Sequence, residues 1–353
     1  MVERVRSAMA GAGVPALLLT DVATVQWLTG FTGSSAAVVL TLDSGEFVTD
    51  SRYAIQAREQ ITDLGVRIFA SPVRQSEALG QSIRELGLSQ VAFERSVSYA
   101  TWEEWQKSFD GVELVPSPEI LKPLRMVKTP DEVAKIKAAC GLADACLLHV
   151  MRLLRPGVRE YDIALEIEFY FRRQGAEVGF PPIVASGPNS ARPHAAPGDR
   201  PLQRGDFVTI DLGARLDGYC SDITRTYVVG RADGRQREVY GQVLKALEES
   251  TQALAPGVTG ADVDARAREV LDEIGLARHF GHGLGHGLGR AVHDVGSLSG
   301  RSTDVIEVGQ VWTVEPGVYI EGFGGVRIED DVLVTADRPV VLNTAAKELT
   351  EVE

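Results

Sequence analysis

Two pentapeptides constrain the fold of this chain more than any other feature. LeuArgProGlyVal occupies 154–158 and LeuAlaProGlyVal occupies 254–258, so their ProGlyVal triplets lie 100 positions apart. Each precedes a stretch that reads as a helix, the first ending near Gly175 and the second near Gly275. Strand-like runs follow both, and each strand region carries two carboxylates: Asp211 and Asp222 in the first, Glu315 and Glu329 in the second. A duplicated helix–helix–hairpin unit accounts for this pattern. Two such halves facing each other place four carboxylates around one central cleft.

The 353 residues exceed one ordinary domain. Before the repeat, apolar β-branched runs at 14–20, 36–41, 66–70 and 90–94 alternate with helix-like stretches at 51–60 and 75–87, an α/β pattern. ProSerProGlu (116–119) breaks it and LysThrProAspGlu (128–132) restarts it. Thr129 and Glu132 have capping-box spacing with Pro130 at the first helical position, so a long amphipathic helix is expected to run from there to before residue 155. These signals place a domain boundary near residues 117–130, with an α/β unit before it and a unit carrying the internal repeat after it.

The formal net charge of −13 argues against nucleic acid or an anionic membrane as the main partner, because phosphate-binding surfaces need clustered Lys and Arg. No apolar run reaches the roughly 18–20 residues of a membrane span. The first ten residues read as an amphipathic helix without the apolar block of a secretory signal, so a cytoplasmic location is expected. Cys140, Cys146 and Cys220 have no zinc-knuckle spacing, and sparse cysteine fits a reducing compartment and buried packing.

The candidate chemistry lies in the second domain. Asp211 ends the apolar run ValThrIle and Glu315 ends TrpThrVal, settings that do not tolerate an unpaired carboxylate. Asp211 and Asp222 are 11 positions apart, an odd separation that lets them face each other across a hairpin with a Leu216–Asp217 loop. The AspGly turn signal favours a loop one residue later, so that facing arrangement calls for a bulge or a longer turn. Glu315 and Glu329 are 14 apart across the glycine-rich reversal 321–325. Four of six histidines (His279, His282, His286, His293) fall in 279–293; His286 and His293, seven apart, share a face if that stretch is helical. His194 sits in a proline-rich loop. Asp211, Asp222, His286, Glu315 and Glu329 offer four carboxylates and one imidazole. That set is too oxygen-rich for a usual structural zinc site and suits a pair of divalent ions.

These motifs resemble the pita-bread metallopeptidases, and within them the Xaa-Pro group of prolidase (Xaa-Pro dipeptidase) and aminopeptidase P. The resemblance rests on SerGlyProAsnSer…ProHis, IleAspLeuGly…AspIleThrArgThr, GlyHisGlyLeuGly…ValHisAsp, GluProGlyValTyr and GlyValArgIleGluAsp, and spans nearly the whole chain. It implies an α/β creatinase-like N-terminal domain over about 1–124, an α+β pita-bread C-terminal domain over about 128–353 with an internal pseudo-two-fold repeat, and two divalent ions, manganese first, with cobalt or zinc as substitutes. It makes Asp222 and Glu329 bridging ligands, gives Asp211 to one ion, and gives His286 with Glu315 to the other. His194, His293, Glu315 and Arg327 match the catalytic groups, and His282 and Tyr319 match substrate-contacting positions. The implied reaction is hydrolysis of an Xaa-Pro bond by hydroxide bridged between the metals, with a proline dipeptidase ahead of an aminopeptidase P.

Arg192 and Arg290 stand where the family commonly has apolar residues. One of them is expected to clamp the C-terminal carboxylate of a dipeptide. Family dimers suggest a homodimer in which 28–35 lines the partner's active site. The competing reading from another class is a non-catalytic peptide-binding protein on the same fold; such proteins lose ligands, and this chain keeps all five.

Overall fold

The apolar runs of the first 124 residues form one six-stranded sheet. The computed structural model describes residues 1–353, and the chain divides into two units, Met1–Leu124 and Arg125–Glu353. The first unit runs α1 (Val2–Gly11), β1 (Ala16–Leu19), α2 (Val22–Thr29), β2 (Ala37–Thr41), β3 (Gly45–Asp50), α3 (Ala54–Gln60), β4 (Gly65–Phe69), α4 (Gln75–Glu85), β5 (Gln90–Phe93), α5 (Tyr99–Ser108) and β6 (Glu113–Pro116), and ends in α6 (Leu121–Met126). Its sheet order is β4-β3-β2-β1-β5-β6. Side chains alternate across a strand, so Leu17, Leu19, Val38 and Leu40 join the core on one face while Leu18 and Val39 join the core on the other. A strand covered on both faces must be apolar throughout, and all four residues of β1 are buried.

The second unit begins with α7 (Pro130–Met151). Thr129 Oγ1 accepts from the Glu132 amide at 3.3 Å and Glu132 Oε2 accepts from the Thr129 amide at 2.8 Å, the expected capping box. Then follow α8 (Glu160–Arg173), β7 (Glu177–Val178), β8 (Ile183–Ser186), β9 (Phe207–Leu212), β10 (Ala214–Leu216), β11 (Tyr219–Cys220), β12 (Ile223–Val229), α9 (Gly234–Ala253), α10 (Gly260–Asp272), β13 (Gly285–Gly287), β14 (Asp294–Leu298), β15 (Val311–Val314), β16 (Gly317–Ile320), β17 (Gly324–Arg327), β18 (Asp330–Leu333), β19 (Val340–Val341) and β20 (Thr350–Val352).

The duplication is visible in burial. α7 buries residues 132, 136, 139, 140, 143, 144, 146, 147 and 150, and α9 buries 236, 239, 240, 243, 246, 247 and 250. α8 buries 160, 163, 164, 167 and 171, and α10 buries 260, 263, 264, 267, 270 and 271. The 100-residue offset therefore holds at seven buried positions of the first helices and five of the second. Each pair covers its own sheet: α7 and α8 pack on Val184, Val208, Ile210 and Ile223, and α9 and α10 pack on Trp312, Val314, Val326 and Val332.

The two hairpins differ from each other. β9 pairs with β12 so that Asp211 lies opposite Thr224, not Asp222. β10 and β11 continue the ladder with Leu216 opposite Tyr219, which makes Asp217–Gly218 the two-residue turn. Asp217 and Gly218 have φ of +49° and +78°, the conformation an AspGly hairpin turn requires. The turn signal overrode the facing arrangement: the ladder closes without the expected bulge, and Asp222 sits diagonal to Asp211. Glu315 and Glu329 do fall opposite each other. Val314 pairs with Asp330 on one side of them and Gly317 with Arg327 on the other.

Candidate metal centre

A cavity of about 660 Å³ opens in the second unit. Asp211, Asp222, His286, Glu315 and Glu329 all line it, as do His194, His282, His293 and Arg327. Backbone pairing aims them. Glu315 donates its amide to Leu284 O at 2.8 Å, and Glu329 donates its amide to Thr224 O at 3.1 Å, which ties the second hairpin to the first. His286 lies on β13, which approaches its neighbours so closely that a Cβ at Gly285 would collide with the Thr313 carbonyl and one at Gly287 with the Val295 carbonyl. Those approaches explain the glycines flanking this histidine.

Carboxylate oxygens of Asp211, Asp222 and Glu329 come within 4.8 Å of one another. His286 Nε2 lies 3.5 Å from Asp222 Oδ2 and 3.7 Å from Glu315 Oε1. His286 Nδ1 lies 3.1 Å from Gly287 O. The carbonyl can only accept, so it fixes the proton on Nδ1 and leaves the Nε2 lone pair facing the acids, as a metal ligand requires.

The donor set fits divalent cations. Asp211 Oδ1 and Glu329 Oε1 are buried without a hydrogen-bond partner, so each presents a free lone pair to the cluster. Burial, reinforced by the neighbouring acids, pushes Asp222 and Glu329 well above the usual carboxylate range, and burial pushes Glu315 up to about 7. Four ionised carboxylates do not share such a site without positive charge. Hard divalent cations take carboxylate and imidazole donors in this combination.

Arg327 supplies part of that charge. Its Nη2 donates to Asp211 Oδ2 at 2.6 Å, Nε to Thr224 Oγ1 at 3.0 Å, and Nη1 to Tyr319 Oη at 2.8 Å. Arginine only donates, so the tyrosine hydroxyl passes its proton toward His282 Nε2, 2.9 Å away. His282 Nδ1 then donates to Gly283 O at 2.8 Å. Burial holds His282 down to about 4, so it is neutral at pH 7. Tyr319 is outside the cavity wall, one hydrogen bond behind it.

His286 and His293 meet at 4.4 Å between ring centroids, but not on a helix. The segment between them is a turn after β13, because paired glycines favour close strand approach over helix. Burial and the neighbouring His286 and His194 hold His293 below its ordinary value. His194 is on the exposed loop that follows β8 and its helical turn.

Neither arginine proposed as a clamp lines the cavity. Arg290 stacks over the Tyr219 ring, 5.2 Å from its centroid, and packs against Gly218. Its planar guanidinium finds that aromatic face locally, two residues before Val292 of the cavity wall. Arg192 is exposed and directly precedes Pro193 of the cavity wall.

Two supporting residues escaped the reading of the sequence. Thr224 accepts from Arg327 and donates to Glu329 Oε2 at 2.7 Å. Asp331 Oδ2 accepts from the Asp222 amide at 3.0 Å and from Cys140 Sγ at 3.2 Å. The one signal for Asp331 was an acid buried in an apolar strand directly after Glu329 and Asp330.

Comparison with known proteins shows the family. Residues 1–127 match the creatinase/prolidase N-terminal domain. The chain is 39% identical over 264 residues to the Xaa-Pro dipeptidase of Pyrococcus furiosus, covering 74% of each chain. It is similar to the solved Xaa-Pro dipeptidase from Bacillus anthracis, with a TM-score of 0.95 and 38% identity over 99% of both chains. It is also similar to the X-Pro aminopeptidase from Thermotoga maritima, with a TM-score of 0.90 and 33% identity over 98% of this chain and 100% of that one. Residues 134–336, more than half of the chain, match metallopeptidase family M24, and the chain belongs to that family.

Proposed function

We propose that this chain is a two-metal exopeptidase that hydrolyses the Xaa-Pro bond of dipeptides. The observation that carries the proposal is the cluster of four carboxylates and one imidazole with two unpartnered oxygens at a cavity wall. In this reading Asp211, Asp222, His286, Glu315 and Glu329 would hold two divalent ions, manganese first. Bound there, the ions supply an acidified water and Lewis-acid charge at the scissile carbonyl.

The protein's own groups do the rest. Phe180, Pro181, Pro182 and Val292 form an apolar wall that receives the pyrrolidine ring, which has no N–H to satisfy. His293 and His194 donate hydrogen bonds to the carbonyl oxygen as it gains charge; losing one such donor costs about 3–4 kcal/mol of transition-state stabilisation. Glu315 carries a proton to the leaving imino nitrogen. Arg327 fixes the orientation of Asp211, and Tyr319 with His282 fixes Arg327 and the adjoining wall. Arg192, at the rim, is the remaining candidate for the dipeptide carboxylate.

The similarity to an X-Pro aminopeptidase supports a second reading with a longer substrate. Hydrolysis of Ala-Pro, N-acetyl-Ala-Pro and Ala-Pro-Ala, with metal-stripped protein and added manganese, separates them. Metal-dependent cleavage of Ala-Pro alone supports the dipeptidase. Preference for Ala-Pro-Ala moves the assignment to the aminopeptidase. Cleavage of the acetylated peptide, or of none, overturns the exopeptidase reading and, in the last case, revives a binding role.

A further inference from the structure

The two halves of the repeat anchor the starts of α8 and α10 alike through the backbone. Glu160 donates its amide to Arg200 O at 3.1 Å, and Gly157 donates to Leu202 O at 2.9 Å. The equivalents in the second half are Gly260 to Asp304 O at 2.8 Å and Gly257 to Ile306 O at 2.9 Å. The first residue of each helix is buried. Their side chains differ. A Cβ at Gly260 would collide with the Ser297 carbonyl and the Ser302 hydroxyl, so the second half closes by direct packing on β14. The repeat therefore needs no carboxylate at this place, yet the first half buries one completely.

The Glu160 carboxylate receives five hydrogen bonds. Oε1 accepts from the Ser186 amide and from Ser186 Oγ, both at 2.7 Å, and from Asn189 Nδ2 at 3.1 Å. Oε2 accepts from Asn189 Nδ2 and from the Gly198 amide, both at 3.1 Å. Ser186 Oγ in turn accepts from Arg200 Nη1 at 2.6 Å, so a cation stands one hydrogen bond away. The amide end of α8 adds favourable charge. These donors bracket the segment 190–197, in which Pro193, His194, Ala195, Ala196 and Pro197 line the cavity. The same segment is tied separately to β17: the Gly325 amide donates to Ser190 Oγ at 2.9 Å and Arg327 Nη1 donates to Pro193 O at 3.3 Å. An exposed loop of this length is ordinarily mobile. Here one buried carboxylate, with two accepting oxygens, draws both of its ends to a single point.

We propose that Glu160 is the positioning residue of this loop: its carboxylate holds 186–198 so that His194 stays at the cavity wall, within reach of the scissile carbonyl oxygen. The proposal rests on the role given above to His194 as a donor to that oxygen. Glutamine cannot replace Glu160. All five bonds arrive from donors, and a carboxamide would turn its own N–H groups toward at least one of them.

Two readouts on the full chain loaded with manganese test it. Hydrogen–deuterium exchange should be faster in 187–198 for Glu160→Gln, with exchange in 281–293 and manganese affinity unchanged. Hydrolysis of Ala-Pro by the same variant should lose up to about 100-fold in kcat, the cost of losing one such donor, with KM little changed. His194→Ala should lose at least as much, and Glu160→Gln combined with His194→Ala no more than His194→Ala alone. Unchanged exchange in 187–198 overturns the proposal. Losses that multiply in the double variant also overturn it, because Glu160 then acts through something other than His194. If Glu160→Gln does not fold, Asn189→Ala removes two of the five bonds from a half-buried position and carries the same expectations at a smaller size. A wild type that does not cleave Ala-Pro refutes the reaction proposed above, and the exchange measurement then still decides whether Glu160 holds the loop.

Discussion

Arg327 Nη2 donates to Asp211 Oδ2 across 2.6 Å, and both side chains are almost wholly buried. One residue of the second half of the repeat thereby fixes a candidate ligand of the first. The same guanidinium donates to Thr224 Oγ1, Tyr319 Oη and Pro193 O. Removing it leaves a buried carboxylate without a protein partner, which costs about 3–5 kcal/mol. Arg327→Ala is therefore expected to lower the melting temperature of metal-stripped protein much more than that of manganese-loaded protein, where cations take over the charge. Arg327→Lys cannot span these acceptors and should lose activity with it. Calorimetry with and without manganese checks this; equal losses in both states contradict it.

Thr224 was invisible as a functional residue in the sequence, yet its hydroxyl joins Arg327 to Glu329. Thr224→Val keeps the shape and removes the hydroxyl. Supporting hydrogen bonds of this kind are worth about 10–100-fold in metal affinity. Competition with a chelator should show a loss in that range, with circular dichroism unchanged. Wild-type affinity in the variant contradicts the role.

Metal removal should make stability depend on pH in an uncommon direction. Burial pushes Glu315 from 4.5 up to about 7 and Asp331 from 3.8 up to about 7, and Asp222 and Glu329 also move up. A carboxyl with a raised folded value keeps its proton in the native state after the unfolded chain has released its own. Stability is then full below the unfolded values and is lost as pH rises through about 7. Urea unfolding of metal-stripped protein at about pH 5, 6 and 7.5 should show this decline. Glu315→Gln should remove a share of up to about 3 kcal/mol. Manganese should flatten the profile, because cations replace the protons; a metal-free protein that gains stability over this window contradicts the account.

Much of this site was legible because carboxylates buried in apolar strands need partners. Glu315 and Glu329 were placed correctly by spacing, since a glycine-rich reversal of that length returns them to the same level. The facing arrangement of Asp211 and Asp222 calls for a bulge or a longer turn, and neither is present, because the AspGly turn governs register in a two-residue hairpin. Helix spacing for His286 and His293 failed because glycines at 285 and 287 serve strand contact. In the first unit, α2 and α5 were not anticipated. α2 has short apolar content resembling a strand, and its capping by Asp21, whose carboxylate accepts from the Thr24 amide, settles the matter. Thr224 and Asp331 act by hydrogen bonds between segments distant in sequence, which no local pattern encodes.

The two departing arginines now separate. Arg290 stacks on Tyr219 away from the cavity, so Arg290→Ala should leave KM for Ala-Pro unchanged and cost about 1 kcal/mol of stability through the lost cation–π contact. Arg192→Ala should raise KM for Ala-Pro about tenfold or more, with little effect on Ala-Pro-Ala. Steady-state kinetics on both peptides decides; equal effects of Arg192→Ala on the two remove the carboxylate-clamp role.

The central claim is that five side chains hold two cations and that both are needed for cleavage. Calorimetric titration of manganese into metal-stripped protein, with Ala-Pro hydrolysis followed in parallel, tests it most directly. The account predicts two equivalents per chain, with activity complete only after the second. Saturation at one equivalent, or full hydrolysis of Ala-Pro without added metal, contradicts it.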